Sequence, residues 1–259
     1  MIVYKYFPPK DYIFDSLLEK SRIRFSQPEI YNDPFESFPS FANDKKEKIE
    51  FAKTKYRKTA GTDIPPESLQ LALKPFYDEL DSIPALLGES IVSLCLTQRK
   101  CNGLMWAHYA DSHRGLAIGL DAESSFFKPG NGRSKHGLRK VNYSKIRPTA
   151  SSTGVIFNIE SEHETYFFTK SIDWKYVEEW RICASTQFAI PPEPKDDEKM
   201  YLFEFPPDCL RELIFGFRMT EDNRSKIVAI MSARYPDTKL FEANLNETSF
   251  DLDIDPYHV

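Results

Sequence analysis

Hydrophobic positions recur along this chain with two periods, and the period changes from one segment to the next. Apolar and polar residues alternate over residues 1–7, 22–26 and 115–121, which predicts strands because successive side chains of a strand point to opposite faces. The apolar run IVSLCLT at residues 91–97 predicts a buried strand. Residues 11–21 carry apolar side chains three and four positions apart, a spacing typical of a short helix.

The second half of the chain mixes the same two patterns. Helices are predicted over residues 102–110, 160–170 and 220–234, and further strands over residues 138–144, 178–186, 199–205, 212–217, 238–245 and 249–254. Strands and helices do not alternate regularly, so we expect an α+β fold with a mixed, mostly antiparallel sheet. We predict that residues 1–259 form a single domain.

A lysine-rich segment interrupts the strand pattern. Residues 43–88 have helical spacing, and acidic residues are interleaved with the lysines of its first part. Such interleaving is more typical of a solvated helix face than of a nucleic-acid patch. We therefore predict a helical insertion over residues 43–88 that holds no clustered chemistry.

Composition narrows the functional classes. The chain has 259 residues, of which ten are glycine, and its formal net charge is −5. So few glycines argue against a Gly-rich phosphate-binding loop. The negative charge argues against a broad nucleic-acid-binding face, although a local basic groove stays open.

Neither a membrane segment nor a structural metal site is predicted. No apolar run approaches the ~20 residues of a membrane span, and the N-terminal residues lack the charged and apolar regions of a signal peptide. Four cysteines are scattered along the chain, at Cys95, Cys101, Cys183 and Cys209, and no Cys/His cluster has metal-ligand spacing. We expect a cytoplasmic protein with free thiols and no metal.

A polar turn follows two arginines of a predicted strand. Arg22 and Arg24 alternate with apolar residues, so their side chains point to one face. Asn32 and Asp33 follow in the sequence NDPFE. This arrangement suits a phosphate or a carboxylate, but Asn and Asp also stabilise turns by bonding their own backbone, and both interpretations stay open.

The segment CNGLMWAHYADSHRGLAIGLD, residues 101–121, places two histidines and two aromatic residues directly before a strand. Trp106, Tyr109 and His113 are three and four residues apart and would share one face of a helix. His108 lies on another face, and Arg114 lies at the turn into the strand, within reach of an anion. Packing of these rings in the core and stacking on a ring-bearing ligand both fit this pattern.

The sequence EEWRICAS begins at Glu178 and alternates as a strand does. Glu179 and Arg181 then point to one side, and Trp180 and Ile182 point to the core. The Glu and Arg form either a surface ion pair or part of a cleft in which the carboxylate stabilises a cation-like transition state.

Four motifs together resemble a bacterial family catalogued as domain of unknown function 2971. They are the opening YKY strand, RIRFSQPEIYNDPFES, LCLTQRKCNGLMWAHYADSHRGLAIGLD, and KSIDWKYVEEWRI. The resemblance covers residues 3–185, and the family name implies no activity.

The order of these motifs also resembles that of ADP-ribosyltransferases. In those enzymes a polar residue on an early strand holds NAD, an aromatic ring stacks on nicotinamide, and a late strand carries the catalytic Glu. Their places would be filled here by Tyr4 and Tyr6, by Tyr109 or Trp106, and by Glu179. The resemblance implies an NAD-dependent transferase with an ADP-ribosyltransferase-like fold, although two tyrosines on a strand are equally typical of outward-facing aromatics.

The chain departs from many ADP-ribosyltransferases beside the implied catalytic residue. Those enzymes carry a Glu-x-Glu pair, whereas here Val177 stands where the first Glu would fall and Glu178 directly precedes Glu179. Cleavage of the nicotinamide–ribose bond passes through an oxocarbenium-like ribose, which a single carboxylate still stabilises. The replacement Glu179→Gln should then nearly abolish NAD turnover with little loss of stability.

The implied NAD site draws on residues from most of the chain. Its catalytic residues would be Glu179 and His108, and its NAD contacts would be Tyr4, Tyr6, Arg24, Asn32, Asp33, Trp106, Tyr109, Arg114 and Arg181. We predict that the NDPFE turn, the WAHY helix and the EEWR strand converge on one cleft. The acceptor would be a nucleic acid or a protein, and the enzyme a toxin or a phage-defence effector.

Two other classes of protein stay open. A nucleic-acid-binding or nucleic-acid-processing defence module would use stacked aromatics together with Arg22, Arg24, Arg114 and Arg181. Alternatively, every cluster is structural and the chain is a non-catalytic interaction module. Release of nicotinamide from NAD distinguishes the enzyme from both.

Overall fold

The computed structural model describes residues 1–40, 45–74, 90–130, 137–149, 165–191 and 200–258. Contacts divide the chain into two compact units. The first unit comprises Met1–Ser26, Val92–Lys140 and Lys175–Val259, and the second comprises Gln27–Ile91 and Val141–Trp174. That residues 1–259 form one domain stays a prediction.

Strands dominate the described part of the chain. They are β1 (Ile2–Phe7), β2 (Arg22–Phe25), β3 (Ile91–Thr97), β4 (Leu116–Asp121), β5 (Arg139–Lys140), β6 (Asn142–Ser144), β7 (Thr169–Ser171), β8 (Glu179–Ser185), β9 (Tyr201–Glu204), β10 (Leu210–Phe215), β11 (Lys239–Leu245) and β12 (Leu252–Pro256). The α-helices are α1 (Lys45–Ala60), α2 (residues 66–74), α3 (Gly103–Tyr109) and α4 (Glu221–Arg234). Shorter helical segments are the π-helical Ile13–Leu18 and the 3-10 turns Pro28–Ile30, Ser125–Phe127, Ile172–Val177, Thr186–Phe188 and Pro207–Cys209.

The first unit is built on an eight-stranded sheet in the order β12-β11-β10-β4-β1-β3-β8-β5. Strand β10 pairs with β11 in parallel, whereas β1 pairs antiparallel with β3 and β4, β4 with β10, β11 with β12, and β5 with β8. Strands β12 and β5 form the two edges. The predicted α+β class and the mixed, mostly antiparallel sheet are confirmed.

Alternation along the strands gives this sheet one apolar face. The core side chains of the central strands are Val3, Phe7, Leu94, Leu96, Leu116, Ile118, Leu120, Ile182, Ala184, Leu213 and Phe215. Ile227 and Met231 of α4 pack into the same core. So do Ile13 and Leu17 of the π-helical segment, which stands where a short helix is predicted. Burial of each large apolar side chain stabilises the unit by roughly 1.5–3 kcal/mol.

The opposite face of the same strands is richer in polar side chains, because alternate residues point away from the core. This polar face is formed by Tyr4 and Tyr6 of β1, Cys95 and Thr97 of β3, Glu179, Arg181 and Cys183 of β8, and Glu212 of β10. Tyr4 lies opposite Thr97 in the β1–β3 ladder, and β8 is the next strand. The sheet therefore brings candidate residues from distant parts of the chain side by side.

The second unit contains α1, α2 and the parallel pair β6–β7. The two helices agree with the helical insertion predicted over residues 43–88, of which residues 43–44 and 75–88 lie outside the described residues. Of the helix predicted over residues 160–170, residues 165–167 are helical and residues 160–164 lie outside the described residues. Its predicted last residue, Lys170, belongs to β7 instead. Within the described ranges, no helix combines the length and the apolar character that crossing a membrane requires.

Candidate functional site

Glu179 and Arg181 form an ion pair on the polar face of β8. The Nε of Arg181 donates a hydrogen bond of 2.8 Å to Glu179 Oε1, and its Nη2 donates to the same oxygen. The Glu179 side chain is 2% exposed and that of Arg181 is 0% exposed, so two charges are paired in a poorly solvated setting. The prediction that Trp180 and Ile182 face the core is confirmed, since Ile182 is a core residue and Trp180 packs against it.

The turn that leads into β8 separates Glu178 from Glu179. Glu178 has a φ of 47°, a left-handed conformation that is uncommon outside glycine. Its carboxylate accepts a hydrogen bond of 2.5 Å from Arg99 Nη2, and its side chain is 37% exposed. The Thr97 hydroxyl donates to the carbonyl of Val177 and so ties this turn to β3. The two adjacent glutamates therefore have different partners and different access to solvent.

A second polar cluster lies on the other side of β1. The Tyr4 hydroxyl donates a hydrogen bond of 2.8 Å to Glu212 Oε2, and Lys100 Nζ lies 3.4 Å from the same oxygen. Lys100 Nζ is also 5.7 Å from the centre of the Tyr4 ring. Gly119 pairs with Tyr4 in β4, and a Cβ there would lie 2.9 Å from Tyr4 Cε1. The missing side chain makes room for the ring.

Trp106 is a packed residue in this structure. Its side chain is fully buried, and its Nε1 donates a hydrogen bond of 2.9 Å to the carbonyl of Lys100. The Tyr6 ring packs edge-on against the indole at 5.0 Å, and the His113 ring lies parallel to it at 6.3 Å. Contact of Trp106 with NAD, as the sequence predicts, stays a prediction, but the ring is enclosed by protein here.

Helix α3 is shorter than the spacing of its aromatic residues suggests. The Asn102 side chain caps it by accepting the N–H groups of residues 104 and 105. After Tyr109 the chain leaves the helix, and Asp111, Ser112 and His113 have φ values of 47°, 52° and 69°. His113 is therefore not on the helix face predicted for it. This left-handed turn, rather than the helix, places its ring against the indole.

The other candidate residues of this segment are solvent-exposed or half-buried. His108 is exposed, and its ring lies edge-on to Tyr109 at 6.4 Å. Arg114 is exposed, and its Nη1 lies 3.4 Å from the carbonyl oxygen of Asp111. A catalytic role for His108 and ligand contacts by Tyr109 and Arg114 stay predictions.

Arg24 lies on the small sheet formed by β2 and β9. Arg22 and Arg24 share one face of β2, as predicted, because the alternate residues Ile23 and Phe25 are fully buried on the other face. The Nε of Arg24 is buried, and no hydrogen-bond partner for it occurs among the residues that the structure describes. Its predicted contact with NAD pyrophosphate would therefore come from outside the eight-stranded sheet.

Burial keeps several groups of the polar face protonated. It raises the pKa of the Tyr6 hydroxyl, and burial together with the hydrogen bond to Glu212 raises the pKa of Tyr4. Burial also raises the pKa of the Cys183 thiol to about 12, although Arg181 acts in the opposite direction. The tyrosines are hydrogen-bond donors at neutral pH, and Cys183 is not a thiolate nucleophile.

The NDPFE turn lines a cavity of about 290 Å³ in the second unit. Asp33 Oδ1 accepts a hydrogen bond of 2.9 Å from the N–H of Phe35, so the aspartate does bond its own backbone as turn residues do. Glu36 forms an ion pair with Lys170 at 3.0 Å. Residues 144–148 line the same cavity. Asn32, the other candidate residue of this turn, is exposed.

The predicted convergence of three motifs involves both units. The WAHY helix and the EEWR strand belong to the first unit, and the NDPFE turn belongs to the second. Asn102 Nδ2 donates a hydrogen bond of 3.4 Å to the carbonyl of Tyr176, so the start of α3 contacts the segment before β8. Convergence of all three motifs on one cleft stays a prediction, as does the absence of a metal.

The sequence analysis did not identify several residues of these clusters as candidate site residues. Glu212 is one, and its place in the alternating strand LRELIF was the only local signal that it faces away from the core. Lys100 and Lys145 stand in segments without a strong pattern. Lys170 could have been found, since it precedes the tryptophan in the motif KSIDW.

Comparison with known proteins gives a resemblance to one family over part of the chain, and no activity. No curated protein and no solved structure matches the chain. The model of the family described as "Protein of unknown function (DUF2971)" matches residues 105–182. This segment runs from α3 into β8 and includes Trp106, Glu179 and Arg181. The predicted resemblance to DUF2971 is therefore confirmed over residues 105–182.

Proposed function

We propose that the chain is an NAD-dependent enzyme of the ADP-ribosyltransferase type, with Glu179 as its catalytic carboxylate. The observation that supports this most is the buried, hydrogen-bonded pair of Glu179 and Arg181 at the start of β8. A paired ionic group inside a protein stabilises the fold little compared with apolar packing. The pair is therefore a candidate functional group and not simply a stabilising contact.

The proposed chemistry needs one positioned carboxylate. Breaking the bond between nicotinamide and ribose generates positive charge on the ribose ring. Glu179 would accept a hydrogen bond from a ribose hydroxyl and stabilise that charge, and nicotinamide would leave with the bonding electrons. The ADP-ribosyl group would then pass to a nucleophile of the acceptor. Each positioned group of this kind typically contributes roughly 10²–10⁴-fold in rate.

Arg181 would act as the positioning residue. Both of its hydrogen bonds to Glu179 reach the same carboxylate oxygen, so the guanidinium fixes the orientation of the carboxylate on the strand. Tyr4 lies two strands away on the same face, about 10 Å from β8 at the usual spacing of strands. Since Glu179 is 1% exposed, NAD would reach it only if the protein around the carboxylate rearranged on binding.

The test is nicotinamide release from NAD by the purified full-length chain, measured by chromatography with and without bacterial extract. The variant Glu179→Asp keeps the charge but shortens the side chain, and we expect it to lose at least 10²-fold in turnover. The matched control is Glu178→Asp. The Glu178 side chain is 37% exposed and paired with Arg99, and its variant should retain NAD turnover. No turnover by wild type, or equal turnover by both variants, contradicts the proposal.

The acceptor follows from the same reaction. With NAD that is labelled in its adenylate part, transfer to a protein gives label that protease removes, and transfer to a nucleic acid gives label that nuclease removes. A toxin or phage-defence role predicts that expression of the wild type arrests growth and that expression of Glu179→Asp does not. Growth arrest by both the wild type and Glu179→Asp would show that toxicity does not depend on the reaction.

A further inference from the structure

We infer that the cavity of the second unit is a binding site for a small zwitterion, an apolar α-amino acid. Asp33 would hold its ammonium group, and Lys145 and Arg147 would hold its carboxylate. The cavity volume of about 290 Å³ suits a ligand of that size. This inference does not depend on the proposed NAD reaction.

Asp33 supplies the cation-binding end. The residue is 7% exposed and lines the cavity. One of its carboxylate oxygens accepts the N–H of Phe35, and the described part of the chain gives it no ion pair. A carboxylate in such a setting is poorly solvated, and a ligand ammonium would supply the missing countercharge.

The other deep charges of the cavity already compensate each other. Glu36 and Lys170 are 3.0 Å apart, and their side chains are 3% and 7% exposed. The Lys170 ammonium also lies 5.0 Å from the centre of the Trp174 ring, a cation–π contact that keeps it in place. Among the described buried charged residues of the cavity, Asp33 is therefore the one whose carboxylate has no cation beside it.

Two cations at the rim supply the anion-binding end. Arg147 Nη2 donates to the carbonyls of Phe38 and Pro39 at 2.9 and 3.1 Å, and its guanidinium lies 5.2 Å from the centre of the Phe35 ring. This side chain is therefore held in position, which lowers the entropic cost of binding an anion. Lys145 is exposed beside it and lines the same cavity.

Apolar side chains at the rim of the cavity indicate that the side chain of the ligand is hydrophobic. Phe35 is 62% exposed and Ile146 is 79% exposed, and both line the cavity. Covering them with a ligand side chain would remove apolar surface from water, which favours binding. Separated acidic, basic and apolar groups fit an α-amino acid with a hydrophobic side chain better than a simple anion or amine.

The experiment is calorimetric titration of the full-length chain, without NAD, with L-leucine, L-methionine and L-phenylalanine. Leucinamide lacks the carboxylate, and 4-methylpentanoate lacks the ammonium group. We expect at least one amino acid to bind, and its analogues with one charge removed to bind at least tenfold more weakly. Absence of binding by all three amino acids, or equal binding of leucine and its two analogues, overturns the inference.

Paired variants test the two ends separately. Asp33→Asn keeps an oxygen that can accept the Phe35 N–H, so the turn is preserved, and it should weaken leucine binding tenfold or more without affecting 4-methylpentanoate. Lys145→Gln should weaken 4-methylpentanoate without affecting leucinamide. The controls are Asp63→Asn and Lys58→Gln, which change exposed residues of the same unit outside the cavity lining. Equal effects of a variant and its control contradict the assignment of that end.

Discussion

Tyr4 and Glu212, which are 208 residues apart in the sequence, are joined by a hydrogen bond of 2.8 Å across the polar face of the sheet. The bond spans β4, the strand that lies between β1 and β10. Its acceptor is also bonded by Lys100. The contact therefore links the first strand to the C-terminal part of the sheet.

Removing the Tyr4 hydroxyl should destabilise the protein. A hydrogen bond to a charged acceptor typically contributes about 1.5–3 kcal/mol, so we expect Tyr4→Phe to lower the free energy of unfolding in urea by roughly that amount. The control is Tyr201→Phe, since the described residues give the Tyr201 hydroxyl no hydrogen bond and its loss should cost at most ~0.5 kcal/mol. Equal costs for the two variants would mean that the Tyr4 bond is not stabilising.

Gly119 should not tolerate a side chain. A Cβ at this position would lie 2.8 Å from Ile2 Cγ2, 2.9 Å from Tyr4 Cε1 and 3.0 Å from Glu212 Cβ. Gly119→Ala should therefore cost about 1–3 kcal/mol, as overpacked substitutions do. Gly103→Ala is the matched control, because its nearest neighbour, Phe250 O, is 3.8 Å away and alanine favours α3. A stable Gly119→Ala protein would show that Tyr4 can move aside.

Replacing one residue of the Glu179–Arg181 pair should lower the free energy of unfolding more than replacing both residues. The sequence predicts little loss of stability for Glu179→Gln, but burial of both side chains changes that expectation. A buried charge that loses a hydrogen-bonded partner costs up to about 3–5 kcal/mol, and Arg181 keeps further contacts when Glu179 is replaced. We expect this loss for Glu179→Gln in urea unfolding, and a smaller one for the double variant Glu179→Gln/Arg181→Gln. A double variant less stable than the single one would contradict this.

Stability should fall in mildly acidic solution because of His113. Burial, and then the positive charge of Arg218, lower the pKa of His113 below its usual 6.5. The unfolded chain therefore binds this proton more readily than the folded chain does. The His113 contribution to stability is complete above pH 6.5 and is lost as the pH falls from 6.5 through the folded-state pKa.

Thermal unfolding at several pH values between 7.5 and 5 would measure this effect. His113→Asn removes the titration and keeps a residue type that tolerates positive φ, so its melting temperature should fall less with pH than that of the wild type. The exposed His108 gives the control variant His108→Asn, which should keep the wild-type pH dependence. If His113→Asn has the same pH dependence as the wild type, the neutral state of His113 is not linked to folding.

Local patterns predicted the strands and their inward faces well. The alternation in EEWRICAS places Ile182 in the core and Glu179 beside Arg181, and both relationships hold in the structure. This works because a strand has a period of two, so the identity of the buried residues determines the direction of the others.

Relationships that depend on long-range contacts were not accessible in the same way. The sequence does not indicate that Tyr4 meets Glu212, because strand order is decided by packing of the whole sheet and not by local propensity. His113 shows a second kind of difference, since three consecutive residues with positive φ break a helical spacing that looks continuous. Lys170 shows a third, because a strand replaces the predicted end of a helix.

The edge strand β12 limits how this protein meets copies of itself. Asp253 and Asp255 are both exposed there, and their carboxylates accept hydrogen bonds from Asn246 and Asn244 of the neighbouring chain segment. Pro256 ends the strand and lacks the N–H that an added strand would need. Two copies of β12 that approached each other would bring acidic side chains together, so this edge is protected from pairing with its own counterpart.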